Sequence, residues 1–118
     1  AERIKSNQPL TIYGDGNQTR DFVDVRDVVQ ANILAFERQA EGMFNIATGV
    51  ATTVNNLVKL VVKAAGKKVD VQHAPPRAGE VRHSVADIRK AKKVLGFSPK
   101  INMGQGVRDY FDWFGGAR

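Results

Sequence analysis

The chain has 118 residues, 42% of them hydrophobic, and contains no cysteine. That length permits one modest core and falls below the usual two-domain range. Zero cysteine excludes disulfides, thiolate catalysis and thiolate metal sites, and accords with a cytoplasmic location. Net charge is +6, and the excess is local: residues 63–100 carry ten Lys/Arg against three Asp/Glu. Such a segment suits a polyanion, either nucleic acid or a nucleotide diphosphate. The plainer alternative for Lys90, Lys92 and Lys93 is a solvated helix face. No apolar run is long enough to span a bilayer, and Ala1-Glu2-Arg3-Ile4-Lys5 has no signal-peptide pattern.

Residues 1–7 read as the tail of a helix, broken at Gln8-Pro9. Leu10-Thr11-Ile12-Tyr13 is a β-rich run that stops at the turn Gly14-Asp15-Gly16. Residues 20–23 suggest a second strand. Asp24 or Asp27 then caps a helix with Val29, Ile33 and Phe36 at helical spacing, ended by Gly42. Residues 44–47 read as a strand and Thr48-Gly49 as a turn. Thr52 or Thr53 opens the clearest helix, whose stripe of Val54, Leu57, Val58, Val61 and Ala65 ends at Gly66 in a left-handed cap. Residues 69–74 alternate as a strand closed by Pro75-Pro76, and residues 81–85 are extended. Asp87 is expected to cap a helix that turns Ile88, Ala91 and Leu95 inward and stops at Gly96. Residues 104–114 form the last helix, with Val107, Tyr110, Phe111 and Phe114 at helical spacing. Short strands with about four helices give an α/β or α+β class.

Few residues offer chemistry. Arg20, on a predicted strand, could fork onto phosphate oxygens or pair with Asp21 or Asp24. Arg77 and Glu80 lie in the stiff loop Pro75-Pro76-Arg77-Ala78-Gly79-Glu80. There they could hold a sugar–phosphate unit, or simply pair with each other. Tyr13 ends a strand before a glycine turn and suits either a nucleobase or the core. His73 and His83 lack a second ligand at metal spacing, and Ser84 lacks a nucleophile's partners. No metal is expected, and Trp113 fits a helix face.

The segments, in order, resemble the C-terminal, substrate-binding portion of the extended short-chain dehydrogenase/reductase family. The nearest likeness is to NAD-dependent nucleotide-sugar epimerases and dehydratases of the UDP-glucose 4-epimerase type. The pieces are Pro9-Leu10-Thr11-Ile12-Tyr13-Gly14-Asp15-Gly16, Thr19-Arg20-Asp21-Phe22-Val23-Asp24-Val25-Arg26-Asp27-Val28 and Phe44-Asn45-Ile46-Ala47-Thr48-Gly49, then Arg77-Ala78-Gly79-Glu80-Val81-Arg82-His83-Ser84-Val85-Ala86-Asp87 and Ala91-Lys92-Lys93-Val94-Leu95-Gly96-Phe97-Ser98-Pro99. The resemblance implies that Thr11, Ile12 and Tyr13 meet the base, the first two through backbone groups. It implies that Arg20 and Arg77 clamp a diphosphate and that Glu80 takes a ribose hydroxyl. Asp24 and Asp27 match helix-entry positions with a structural role.

Two parts of the family pattern are absent from this sequence. Gly14-Asp15-Gly16 precedes a strand rather than a helix, so it is not the dinucleotide fingerprint. No Tyr-x-x-x-Lys pair is present: Asn17 follows Tyr13 by four, and Phe114 follows Tyr110. The expectation is therefore a single substrate-binding domain over residues 1–118, without a Rossmann domain. It would carry no catalytic residues and bind no cofactor alone, in a parent enzyme that uses NAD. The partners implied are a UDP-sugar and either a second copy or the missing Rossmann domain. Two alternatives are a basic nucleic-acid-binding module, disfavoured because its cations gather on one helix, and a truncated, self-associating interaction domain.

Overall fold

The computed structural model describes residues 1–116. In chain order the elements are α1 (Glu2–Lys5), β1 (Leu10–Tyr13), β2 (Thr19–Arg20), α2 (Val25–Glu37), β3 (Thr52–Thr53), α3 (Val54–Ala65), β4 (Val71–Ala74), α4 (Arg89–Leu95) and α5 (Met103–Gly116). The mixed α/β class stands, with five helices among the described residues rather than about four. Two small sheets hold the strands. β1 pairs in parallel with β4, Leu10 opposite Val71 through Tyr13 opposite Ala74. β2 pairs antiparallel with β3, and a parallel bridge joins Thr19 to His83.

Local chemistry sets most boundaries. Asp24 is the cap of α2: its backbone is extended and its carboxylate accepts the Arg26 N–H. Asp27 does something else. It is buried and accepts the backbone N–H of Lys100 at 3.0 Å and Ile101 at 3.1 Å, tying the lead-in of α5 to α2. Thr53, rather than Thr52, caps α3, and Gly66 and Gly96 close α3 and α4 at φ +66° and +67°.

Four expectations need correction. α2 ends at Glu37, not at Gly42, because Gln39 already adopts φ +48° and Ala40 bonds back to Ala35. The strand expected over residues 20–23 is only Thr19–Arg20, since its partner β3 offers two residues. Residues 44–47 form no strand, having no strand partner among the described residues. Asp87 bonds the Arg89 N–H and guanidinium, but the cap position of α4 is Ile88, which makes no side-chain cap.

The core is small. Ala31 of α2 meets Ala91, Leu95 and Phe97, flanked by Leu34, Ala35, Phe44 and Ile46. The stripe that periodicity selects on α2 faces outward instead: Val29 and Ile33 are half exposed and Phe36 is 86% exposed. The molecule is a plate, 48 × 37 × 17 Å, with a radius of gyration of 16.6 Å. A compact chain of this length has a radius of about 13.5 Å.

Candidate functional site

The turn between β1 and β2 is built around two left-handed glycines and one asparagine. Gly14 (φ +81°) extends the β1–β4 ladder by donating its N–H to Ala74. Gly16 (φ +76°) lies so close to α3 that an added Cβ would sit 2.0 Å from Asn55 Oδ1. Asn55 accounts for that approach: its backbone N–H bonds Gly16, and its side-chain amide bonds the Asp15 carbonyl and the Asn17 side chain. Gln18 is buried behind the turn and donates Nε2 to the Tyr13 carbonyl at 2.8 Å. Neither Asn55 nor Gln18 stands out in the sequence, because a lone amide has no spacing pattern to betray it.

Across from this turn runs the loop that follows β4. It is zipped onto β2 by backbone bonds, Thr19 N–H to Arg82 and Ser84 N–H to Thr19, and by a contact between Thr19 Oγ1 and His83 Nδ1. Arg82 forks onto both oxygens of Asp15 at 2.7 and 2.8 Å. The Arg82 hydrogen bond, helped by the Asn17 N–H, holds the Asp15 carboxyl well below the usual range. Asp21 plays a matching part lower down, accepting from the Thr48 hydroxyl and from the backbone of Thr48, Gly49 and Ala86.

Between turn and loop lies a recess of about 100 Å³ lined by Tyr13, Gly14, Gln18, Arg77, Glu80 and Arg82, among others. The Arg77 guanidinium carbon stands 4.1 Å from the centre of the Tyr13 ring. Glu80 Oε1 accepts from Arg20 Nη2 at 3.3 Å, and Arg20 Nη1 is anchored to the Thr19 carbonyl at 2.7 Å. Tyr13, Arg77 and Glu80 are thus brought together, with Arg20 one carboxylate behind them. The local alternatives fail. Asp24 is bound to Arg26 and Asp21 to the 48–49 turn, so neither pairs with Arg20. No ion pair joins Arg77 to Glu80 among the described residues.

Thr11 and Ile12 lie apart from the recess by side chain. Ile12 is buried in the interior, and Thr11 Oγ1 faces Arg3. Only their backbone is available, along the edge of β1 that has no strand partner among the described residues. A larger groove of about 470 Å³ runs between α3 and α5, walled by Phe22, Leu57, Val61, Val107 and Phe111. Its one charged side chain is Asp24, so no lysine or arginine of its lining faces a phosphate there. In the basic segment, Arg82 is engaged by Asp15, Arg89 by Asp87, and Lys90 lies over the Phe44 ring. No cluster of metal-ligating side chains exists among the described residues, and no described helix is long and apolar enough to cross a membrane.

The same geometry tests for a dinucleotide. The dinucleotide fingerprint is a glycine turn that opens onto a helix N-terminus, where the cofactor's pyrophosphate sits. Here the turn leads into β2, and Asn55 fills the space beside Gly16. The Gly14-Asp15-Gly16 turn is therefore not that fingerprint.

The sequence profile of the GDP-mannose 4,6 dehydratase family matches residues 1–110. The UDP-glucose 4-epimerase of Thermotoga maritima, solved with UDP-glucose, is 41% identical with a TM-score of 0.90, over 98% of this chain and 38% of that one. That of Thermus thermophilus, solved with NAD, is 38% identical with a TM-score of 0.89, over 99% of this chain and 39% of that one. The UDP-glucose 4-epimerase of Mycolicibacterium smegmatis is 34% identical over 115 residues, 97% of this chain and 37% of that protein. The chain therefore spans well under half the length of these relatives. The likeness read from the sequence motifs holds: the chain belongs to the GDP-mannose 4,6 dehydratase family of NAD-dependent nucleotide-sugar epimerases and dehydratases, and is UDP-glucose 4-epimerase-like.

Proposed function

We propose that residues 1–118 are the substrate-binding part of a UDP-sugar epimerase or dehydratase, gripping the nucleotide diphosphate while the chemistry is done elsewhere in the parent enzyme. The observation that carries this is the recess where Tyr13, Arg77 and Glu80 meet, with Arg20 joined to it through Glu80. Two guanidinium forks suit the oxygens of a diphosphate, and a carboxylate suits a ribose hydroxyl. The edge of β1 at Thr11 and Ile12, without a strand partner among the described residues, offers backbone groups to a base. Relatives crystallised with UDP-sugars and NAD support the ligand class. NAD is assigned to the parent enzyme and not to these residues, since neither the glycine fingerprint nor the Tyr-x-x-x-Lys pair is in the sequence.

Calorimetric titration with UDP tests the reading. Arg20→Ala and Arg77→Ala should each weaken binding by roughly tenfold, the worth of one charge-assisted hydrogen bond. Lys93→Ala, on the far helix, should leave it unchanged. Absence of UDP binding, or equal losses in all three variants, would overturn the assignment.

A further inference from the structure

The recess contains an anion of its own. We infer that Glu80 is a stand-in for ligand phosphate on Arg20, so that a phosphoanhydride enters by exchanging one anion for another. This rests on reading the recess as a nucleotide-diphosphate site.

Four features of the site carry it. First, the Arg20–Glu80 contact is long, 3.3 Å, with each side chain about a third exposed (30% and 29%). Ion pairs of that kind are weak and easily displaced. Second, only one limb of Arg20 is involved. Nη1 stays bonded to the Thr19 carbonyl at 2.7 Å, so the fork remains in place when the carboxylate leaves. Third, Glu80 follows Gly79, which sits at φ +76° with nothing within 4 Å of an added Cβ. Open space beside a glycine lets this part of the loop turn while the Asp15–Arg82 fork keeps the rest docked.

Fourth, charge and size agree. Arg82 is already neutralised by Asp15, leaving Arg20 and Arg77 against the single carboxylate of Glu80. A diphosphate brings about two negative charges, which two guanidinium groups balance only once Glu80 has withdrawn. The recess of about 100 Å³ is also small for a ligand. Pockets that hold small molecules run to roughly 300–1,000 Å³. With Glu80 in place, Arg20 is not among the lining residues. Withdrawal of the carboxylate both widens the recess and uncovers the second guanidinium. Released from Arg20, Glu80 is free to accept from a ribose hydroxyl, so one side chain serves both states.

Inorganic pyrophosphate and UDP separate the two roles, because only UDP carries the ribose. In calorimetric titrations, Glu80→Gln should tighten pyrophosphate binding by up to about fivefold, the strength of an exposed ion pair. UDP should gain less, since a neutral amide accepts more weakly from the ribose. The pyrophosphate gain should vanish in the Arg20→Ala background, which isolates the pair from a general loss of negative charge. A gain of the same size with and without Arg20 overturns the exchange. So does unchanged or weaker pyrophosphate binding by Glu80→Gln in a protein that binds UDP, and that result leaves the diphosphate-site reading standing. A native protein that binds neither UDP nor pyrophosphate overturns both.

Discussion

Asp21 shows how a single carboxylate can hold the site's scaffold. Burial by itself raises its pKa, but the Thr48 hydroxyl and the N–H groups of Thr48, Gly49 and Ala86 outweigh it and hold the group below its usual value. A depressed folded-state pKa contributes stability that is complete above the unfolded value, about 4. That contribution is lost as pH falls through the folded one. Thermal melting should therefore drop between pH 7 and pH 3. Asp21→Asn should be less stable by about 2 kcal/mol at pH 7, and should lose less on acidification. Equal acid sensitivity in both proteins would show that this carboxylate is not the titrating tie. At the same scale, Arg20 and Arg77 escape the short-range partners that sequence offers them. Their contacts come from distant parts of the chain instead, Glu80 for Arg20 and Tyr13 for Arg77.

Among the elements, the turns are the most demanding. Gly16 and Gly79 share φ +76°, yet only Gly16 is pressed against a neighbour. Alanine at Gly79 meets the left-handed backbone penalty alone, about 1 kcal/mol. Alanine at Gly16 must also push Asn55 off the Asp15 carbonyl and the Asn17 side chain. Urea denaturation should find Gly16→Ala clearly the more destabilised of the two. Comparable losses would mean that Asn55 does not organise the turn. The helices were easier to anticipate. Their stops at Gly66 and Gly96 and the caps at Asp24 and Thr53 follow from local bonding. Residues 44–47 have strand-forming side chains but no strand partner among the described residues, and a strand exists only when another accepts its hydrogen bonds.

For the molecule as a whole, the flat shape matters more than the composition. A plate 17 Å thick buries few side chains, and one face of α2 presents Val25, Val29, Ile33 and Phe36 to solvent. Contiguous apolar surface of that kind favours association. Light scattering should show mass rising with protein concentration, and Phe36→Glu should shift the protein toward monomer. A concentration-independent monomeric mass for the native chain would remove that expectation.

Sequence alone was enough for the family likeness, for most helix boundaries and for naming Tyr13, Arg20, Arg77 and Glu80 as candidates. These follow from local rules: glycine tolerates positive φ, Asp and Thr cap helices, and ordered motifs are shared with relatives. It left open which face of α2 is buried, because periodicity reveals an apolar stripe without saying what covers it. Tertiary structure alone decided that Glu80 sits on Arg20, that Asp15 holds Arg82, and that Asn55 and Gln18 brace the turn. Such contacts join residues far apart in the chain, and no spacing within one segment encodes which charges will meet when the chain folds back on itself.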